Sequence, residues 1–168
     1  MKRSRYLLIT IGVLLLDQWT KFLLLKALPP GSDSVVTSWF SIVHWRNSGG
    51  LFGMLDNLSP HWRMGVFLVI PVCGTVLLVY LFANAEDWKE LALLAAVLGG
   101  AAGNLLDRVR LGSVVDFLYF HIPKGPGWPA FNVADAFLST SIIAYVALYV
   151  FGSKKGEPKS ASGSLHDR

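Results

Sequence analysis

Residues 65–83 read Gly-Val-Phe-Leu-Val-Ile-Pro-Val-Cys-Gly-Thr-Val-Leu-Leu-Val-Tyr-Leu-Phe-Ala, 19 positions without a charge. A helix needs about 20 apolar residues to cross the hydrocarbon core of a bilayer. This stretch therefore reads as a transmembrane helix, and Pro71 inside it is tolerable where neighbouring helices compensate. Three further segments follow the same pattern. The first runs from about Tyr6 to Leu28, behind Lys2, Arg3 and Arg5, and Pro29-Pro30-Gly31 ends it. Its basic start resembles a signal peptide, but the apolar run continues past Asp17-Gln18 and no A-x-A pattern follows, so a retained helix is expected. The third, Leu91 to Leu106, is short and is expected to extend into its polar flanks, to about Arg108. The fourth runs from about Ala134 to Phe151. The fold class expected is an all-α integral membrane protein of four transmembrane helices, over spans of about 6–28, 65–83, 91–108 and 134–151.

The composition agrees. Hydrophobic residues make up 53% and charged residues 15% of the 168 positions, and mean hydropathy is +0.49. Soluble domains carry about 25% charged residues. The net charge of +4 sits mainly at the chain ends. It reads as membrane topology rather than nucleic-acid binding, and places both termini in the cytoplasm. Residues 1–152 are expected to form one membrane domain, and 153–168 a disordered basic cytoplasmic tail. In the first outer loop, Val35 to Trp45 is rich in β-branched and aromatic residues and suggests a small strand or hairpin on the membrane surface. Its tryptophans suit an interfacial belt. The single cysteine, Cys73, is expected to be an inert buried thiol.

Ionisable residues inside a span cost about 2.5–3.5 kcal/mol on insertion scales, so those present need a reason. Asp17 and Lys21 lie four residues apart, on one helix face. They form either an ion pair that locks the helix to its neighbours or a contact to substrate or an active-site loop. Asn47 lies in a glycine-rich stretch, Arg46-Asn47-Ser48-Gly49-Gly50-Leu51-Phe52-Gly53, that marks a special turn. Asn104, Asp107 and Arg108 share one face at the end of the third span. Capping of the span explains Arg108 well and Asn104 poorly.

Asp116 and Asp135 carry the most information. Asp116 lies in an apolar stretch, Val114-Val115-Asp116-Phe117, just beyond the third span. Asp135 lies at the mouth of the fourth, so the chain can bring the two together. Two poorly solvated carboxylates side by side share one proton, and one can deprotonate a water while the other donates to a carbonyl. The alternative is that Asp135 caps a helix and Asp116 is a loop acid. Other hydrolytic chemistry lacks its residues. There is no H-E-x-x-H for zinc and no G-x-S-x-G elbow.

With these blocks in order, the chain resembles the lipoprotein signal peptidases (signal peptidase II), bacterial inner-membrane aspartyl proteases. The resemblance rests on Asp17-Gln18-Trp19-Thr20-Lys21, on Arg46 to Phe52, on Gly103-Asn104-Leu105-Leu106-Asp107-Arg108, on Val114 to Phe117, and on Phe131-Asn132-Val133-Ala134-Asp135-Ala136. It implies that Asp116 and Asp135 are the catalytic pair. It further implies that Asn104, Arg108 and Asn132 line the site, that Asp17, Lys21 and Asn47 support it, and that Asp107 is structural. The substrate implied is a diacylglyceryl-modified prolipoprotein, cut on the amino side of the lipidated cysteine near the periplasmic face. Membrane lipids are the other expected partner, and no cofactor or metal is expected. The oligomeric state is not legible, and a monomer is compatible with the sequence. The second block departs from a common Asn-Thr-Gly-Ala-Ala-Phe pattern at Ser48, Gly50 and Leu51.

A different class is also compatible with buried Asp, Lys and Arg: a four-span proton-coupled carrier or lipid-binding protein. Such a carrier would place its charges near the bilayer midplane, often within an inverted repeat. Here most polar residues cluster toward one face, and no repeat is visible.

Overall fold

The computed structural model describes residues 3–48, 59–123 and 125–152. A short 3-10 turn, Arg3–Tyr6, leads into α1, Leu7–Ala27. A hairpin follows, β1 at Asp33–Thr37 and β2 at Phe40–Asn47. Then come α2 (Pro60–Asn84), α3 (Trp88–Leu111), β3 (Val114–Phe120) and α4 (Val133–Gly152). All four helices are long and apolar enough to cross a membrane. The fold is thus four membrane-crossing helices with a small antiparallel sheet of order β1-β2-β3.

The helix ends follow local chemistry. Asp87 caps α3, its Oδ1 accepting from the N–H of Lys89 at 2.7 Å and of Glu90 at 3.3 Å. Gly112 ends α3 in the left-handed region, φ 70°, where glycine carries no Cβ penalty. As expected, α3 runs beyond its apolar stretch at both ends. By contrast, α2 begins five residues before the expected Gly65.

The middle helix of the bundle is α3. Its apolar window is 61% buried, against 6% for α2 and 11% for α4. Its glycines explain the position. An added Cβ on Gly99 would lie 2.7 Å from Thr10 O on α1, one on Gly100 2.6 Å from Ala134 O on α4, and one on Gly103 2.6 Å from Asp17 Oδ2. Only glycine lets α1 and α4 approach α3 so closely. The helix α2 packs against α3, and its buried core lies at its far end. There Phe82 and Ala85 join Leu91, Leu94, Ala95 and Leu98, with Leu78 and Leu81 alongside.

Cys73 is exposed on α2, not buried. An apolar run in a membrane protein faces lipid as readily as protein, so hydropathy does not tell the two apart. And the stretch after the third span is not a loop but β3, which pairs with β2 through Phe40↔Phe120, Ile42↔Leu118 and Trp45↔Asp116. The expected hairpin is present, with one strand more than expected. The glycines from Gly49 to Gly53, with their expected turn, and the tail from residue 153 lie outside the described residues.

Candidate active site

The end of α3, the start of α4 and the middle of β3 meet at one point, and the polar residues singled out in the sequence meet there with them. Asn132 stands immediately before α4. Its Oδ1 accepts from the Asp135 N–H at 2.9 Å, and its own N–H donates to Asp135 Oδ2 at 3.3 Å. This is a capping box. Asn132 is therefore the cap and Asp135 its return partner, so the alternative that Asp135 itself caps the helix does not hold. A third N–H of this first turn, from Ala134, donates to Asp17 Oδ1 at 3.0 Å. The open donors of α4 are thus met by three side chains, one of them from α1.

Asn132 also reaches the second carboxyl. Its Nδ2 donates to Asp116 Oδ1 at 2.8 Å and lies 3.2 Å from Val115 O. Asn47 pairs across the sheet with Val114 and donates through Nδ2 to Asp116 Oδ2 at 3.0 Å. Asn104, 5% exposed, donates to Asp135 Oδ1 at 2.7 Å and accepts from Asn132 Nδ2 at 3.1 Å. Each oxygen of the two carboxyls accepts one bond from the protein, and three of those four bonds come from asparagine side chains.

Asp116 is 3% exposed. Its pKa is raised from 3.8 to about 6, chiefly by burial and also by the nearby Asp135 charge, against the opposing effect of the Asn47 and Asn132 bonds and the Lys21 charge. A carboxyl so placed keeps its proton up to about pH 6, next to a second carboxyl. Arg108 donates from Nη1 to Asn104 O at 3.0 Å, and its charge is felt by both aspartates.

Behind this pair lies a second buried group. Lys21 Nζ donates to Asp17 Oδ2 at 2.8 Å and to Asn104 Oδ1 at 3.2 Å, and pairs with Asp107 Oδ2 at 2.8 Å. These three acceptors match the three donors of an ammonium. Asp107 also accepts from the Val115 N–H at 3.2 Å, which ties α3 to β3. Of the two readings open for Asp17 and Lys21, the pair does lock helices together. It also reaches the carboxyl pair through Asn104. One residue of this group was not singled out from the sequence. Gln18 Nε2 lies 3.1 Å from Asp17 Oδ2 and 3.0 Å from Asp107 Oδ1, bridging the two acids. A polar amide beside Asp17 in an apolar run was the available signal.

Chemically, the site offers two adjacent carboxyls of unequal surroundings, amide donors around them and a guanidinium beside them. Among the described residues, no three His, Cys, Asp or Glu side chains are placed to hold a metal ion.

Comparison with known proteins gives a consistent result. The sequence profile of the family described as signal peptidase (SPase) II matches residues 9–151. The chain is 33% identical over 155 residues to the lipoprotein signal peptidase of Francisella tularensis subsp. novicida, covering 91% of this chain and 96% of that one. It is 38% identical over 135 residues to that of Thermodesulfovibrio yellowstonii, covering 80% and 86%. A solved structure described as a bacterial membrane enzyme is similar with a TM-score of 0.77 at 27% identity, over 95% of each chain.

Proposed function

The chain belongs to the signal peptidase II family, the lipoprotein signal peptidases, and is a bacterial membrane protease; on that footing we propose that it works by an aspartyl mechanism, with Asp116 and Asp135 as the catalytic residues. The observation that carries this reading is the shared asparagine. Asn132 bonds Asp116 through its side chain and Asp135 through side chain and backbone, so the two acids are oriented by one residue. The raised pKa of Asp116, about 6, supports one proton resting on the pair up to about that pH.

The steps follow from that single proton. The ionised carboxylate takes a proton from water as the water oxygen attacks the scissile carbonyl carbon. The protonated carboxyl gives its proton to the carbonyl oxygen, forming a neutral tetrahedral diol. Collapse of the diol breaks the C–N bond. The proton taken from water passes to the departing amine, and the diol returns its other proton to the pair. The new carboxyl ends the signal peptide, and the amine is that of the lipidated cysteine. In this mechanism Asn104, Asn132 and Asn47 orient the two carboxyls, and Arg108 faces the developing charge. Asp17 and Lys21 hold Asn104 and the first turn of α4 in place.

The substrate proposed is a diacylglyceryl-modified prolipoprotein, cut on the amino side of that cysteine. Two features favour a lipid-borne substrate. The two acids stand where helices end, and the adjoining side of α3 carries Leu106 and Val109 exposed to lipid. Acyl chains can therefore stay in the bilayer while the peptide reaches the carboxyls. The basic chain ends favour cytoplasmic termini, in the inner membrane with the site near the periplasmic face. Membership in a peptidase family leaves nothing to favour a carrier.

The test is cleavage of a diacylglyceryl-modified prolipoprotein by the purified protein and by its Asp116→Asn and Asp135→Asn variants. Cleavage by the wild type and by neither variant is expected. Turnover persisting in a folded variant removes that residue from the mechanism.

A further inference from the structure

The sheet carries aromatic rings at the end away from the two acids, and the mechanism uses none of them. Trp39, in the hairpin turn, is 53% exposed, and Trp128 is 72% exposed. Phe120 and Ile122 lie exposed between them. Together with His121, Pro126 and Gly127 these residues line a shallow cavity of about 290 Å³. The surface is firmly built. His121 N–H donates to Trp39 O at 2.9 Å, Trp128 N–H to Phe120 O at 2.8 Å, and Ile122 N–H to Pro126 O at 3.2 Å. At Gly127 the loop lies so close to β3 that an added Cβ would be 2.6 Å from Phe120 O. Trp128 is thus held on a strapped loop, beside a strand.

The rings also lead somewhere. Trp39 stacks on Phe120 at 5.8 Å between centroids and 17° between planes. Phe120 stacks on Phe131 at 5.9 Å and the same angle. Phe131 stands two residues before α4, where the membrane-crossing segment begins at Val133. Leu118 and Phe131 exchange backbone bonds of 2.8 and 3.0 Å, so the far strand is fastened to that point. The aromatic surface is therefore continuous with the lipid-facing surface of the bundle. Exposed rings with a polar N–H at one edge suit the boundary between headgroups and acyl chains.

We propose that Trp39, Phe120, Ile122 and Trp128 form an interfacial anchor that lays the sheet along the bilayer surface, with phospholipid as the partner. The anchor fixes the depth of β3, and with it the depth of Asp116 four residues before Phe120. It rests on the membrane-crossing helices and not on the aspartyl mechanism.

The test uses the full chain reconstituted in phosphatidylcholine vesicles whose acyl chains carry bromine either near the headgroup or near the chain end. Tryptophan fluorescence of the wild type is compared with that of a Trp39→Phe/Trp128→Phe variant, and the difference isolates the two rings while the other four tryptophans stay. Shallow bromines should remove most of the difference signal and deep bromines little of it. Trp19, on α1 and 58% exposed, serves as the reference for contact with lipid. A Trp19→Phe variant should lose signal that one or other bromine quenches. A difference signal untouched by either bromine, while the Trp19 signal responds, overturns the anchor. A difference signal that shifts only on adding a prolipoprotein also overturns it and assigns the surface to the polypeptide.

Discussion

Replacing Gly100 by alanine tests whether the contact between α3 and α4 sets the spacing of the two acids. The added Cβ would sit 2.6 Å from Ala134 O and 2.9 Å from the Leu138 Cγ. The first of these is backbone in the first turn of α4, one residue before Asp135, and it cannot rotate away. Reaching an ordinary contact of 3.4 Å requires a movement of about 0.8 Å. That movement carries Asn132 and Asp135 with it and stretches the 2.7 Å bond from Asn104 to Asp135. Overpacking costs about 1–3 kcal/mol, and alanine regains about 1 kcal/mol over glycine within a helix. The fold should therefore survive with a net loss of about 2 kcal/mol or less. A misplacement of about 1 Å at reacting groups can cost on the order of 100-fold in rate. The assay is steady-state cleavage of a lipidated precursor, with thermal unfolding measured on the same preparations. Gly12→Ala is the control, since nothing lies within 4 Å of its added Cβ. Wild-type kcat in a folded Gly100→Ala protein would refute the reasoning.

Three further outcomes are expected. Lys21→Met leaves Asp17 and Asp107 buried without their shared cation, and should cost about 3–5 kcal/mol, read as a lower unfolding midpoint in detergent. Asn132→Ala removes both the α4 cap, worth about 1 kcal/mol, and a bond to Asp116; its loss of kcat should far exceed its loss of stability, and equal losses would reduce Asn132 to a cap. Activity should fall as pH rises through about 6, where Asp116 loses its proton and both acids become charged. Asn47 stabilises the charged form, so Asn47→Ala should move that limb to higher pH; a pH–rate profile that stays put or moves down contradicts this. For stability the sign is likewise fixed. An acid whose folded pKa lies above its unfolded 3.8 costs stability as pH rises from there to about 6, and Asp116→Asn should flatten that decline.

The four spans were legible because each is a long apolar run, and lipid requires such runs to be helical. The site was legible because each of Asp17, Asn104, Asp116 and Asp135 is costly where it stands. What stayed hidden depends on partners far apart in the chain. Val114 to Phe120 is rich in β-branched and aromatic residues, but its strand character needs β2, whose Trp45 faces Asp116 across 70 intervening residues. The role of Asn132 as cap was masked by Asp135, itself a fitting cap three residues later. Gln18 was passed over because its two acceptors, Asp17 and Asp107, lie on different helices. The orientation of Cys73 depends on which side of α2 meets α3, and a helix that is apolar all round does not record it.

The loose seating of α2 has a consequence for how the bilayer acts on the enzyme. Its apolar part, the 20 residues Gly65–Asn84, extends about 30 Å at 1.5 Å per residue, which matches the roughly 30 Å of hydrocarbon. In a thinner bilayer such a helix tilts to suit the local thickness. The elements that carry the two acids are α3, β3 and α4, and α1 braces them through Asp17 and Lys21. Among the described residues, none of the bonds given above for the two acids and their brace involves α2, which can lean without disturbing them. Vesicles of graded acyl length should therefore change KM and leave kcat alone; a kcat that follows thickness would show that the brace is not rigid. Membrane thickness then tunes how a precursor is captured, while the chemistry keeps its own geometry.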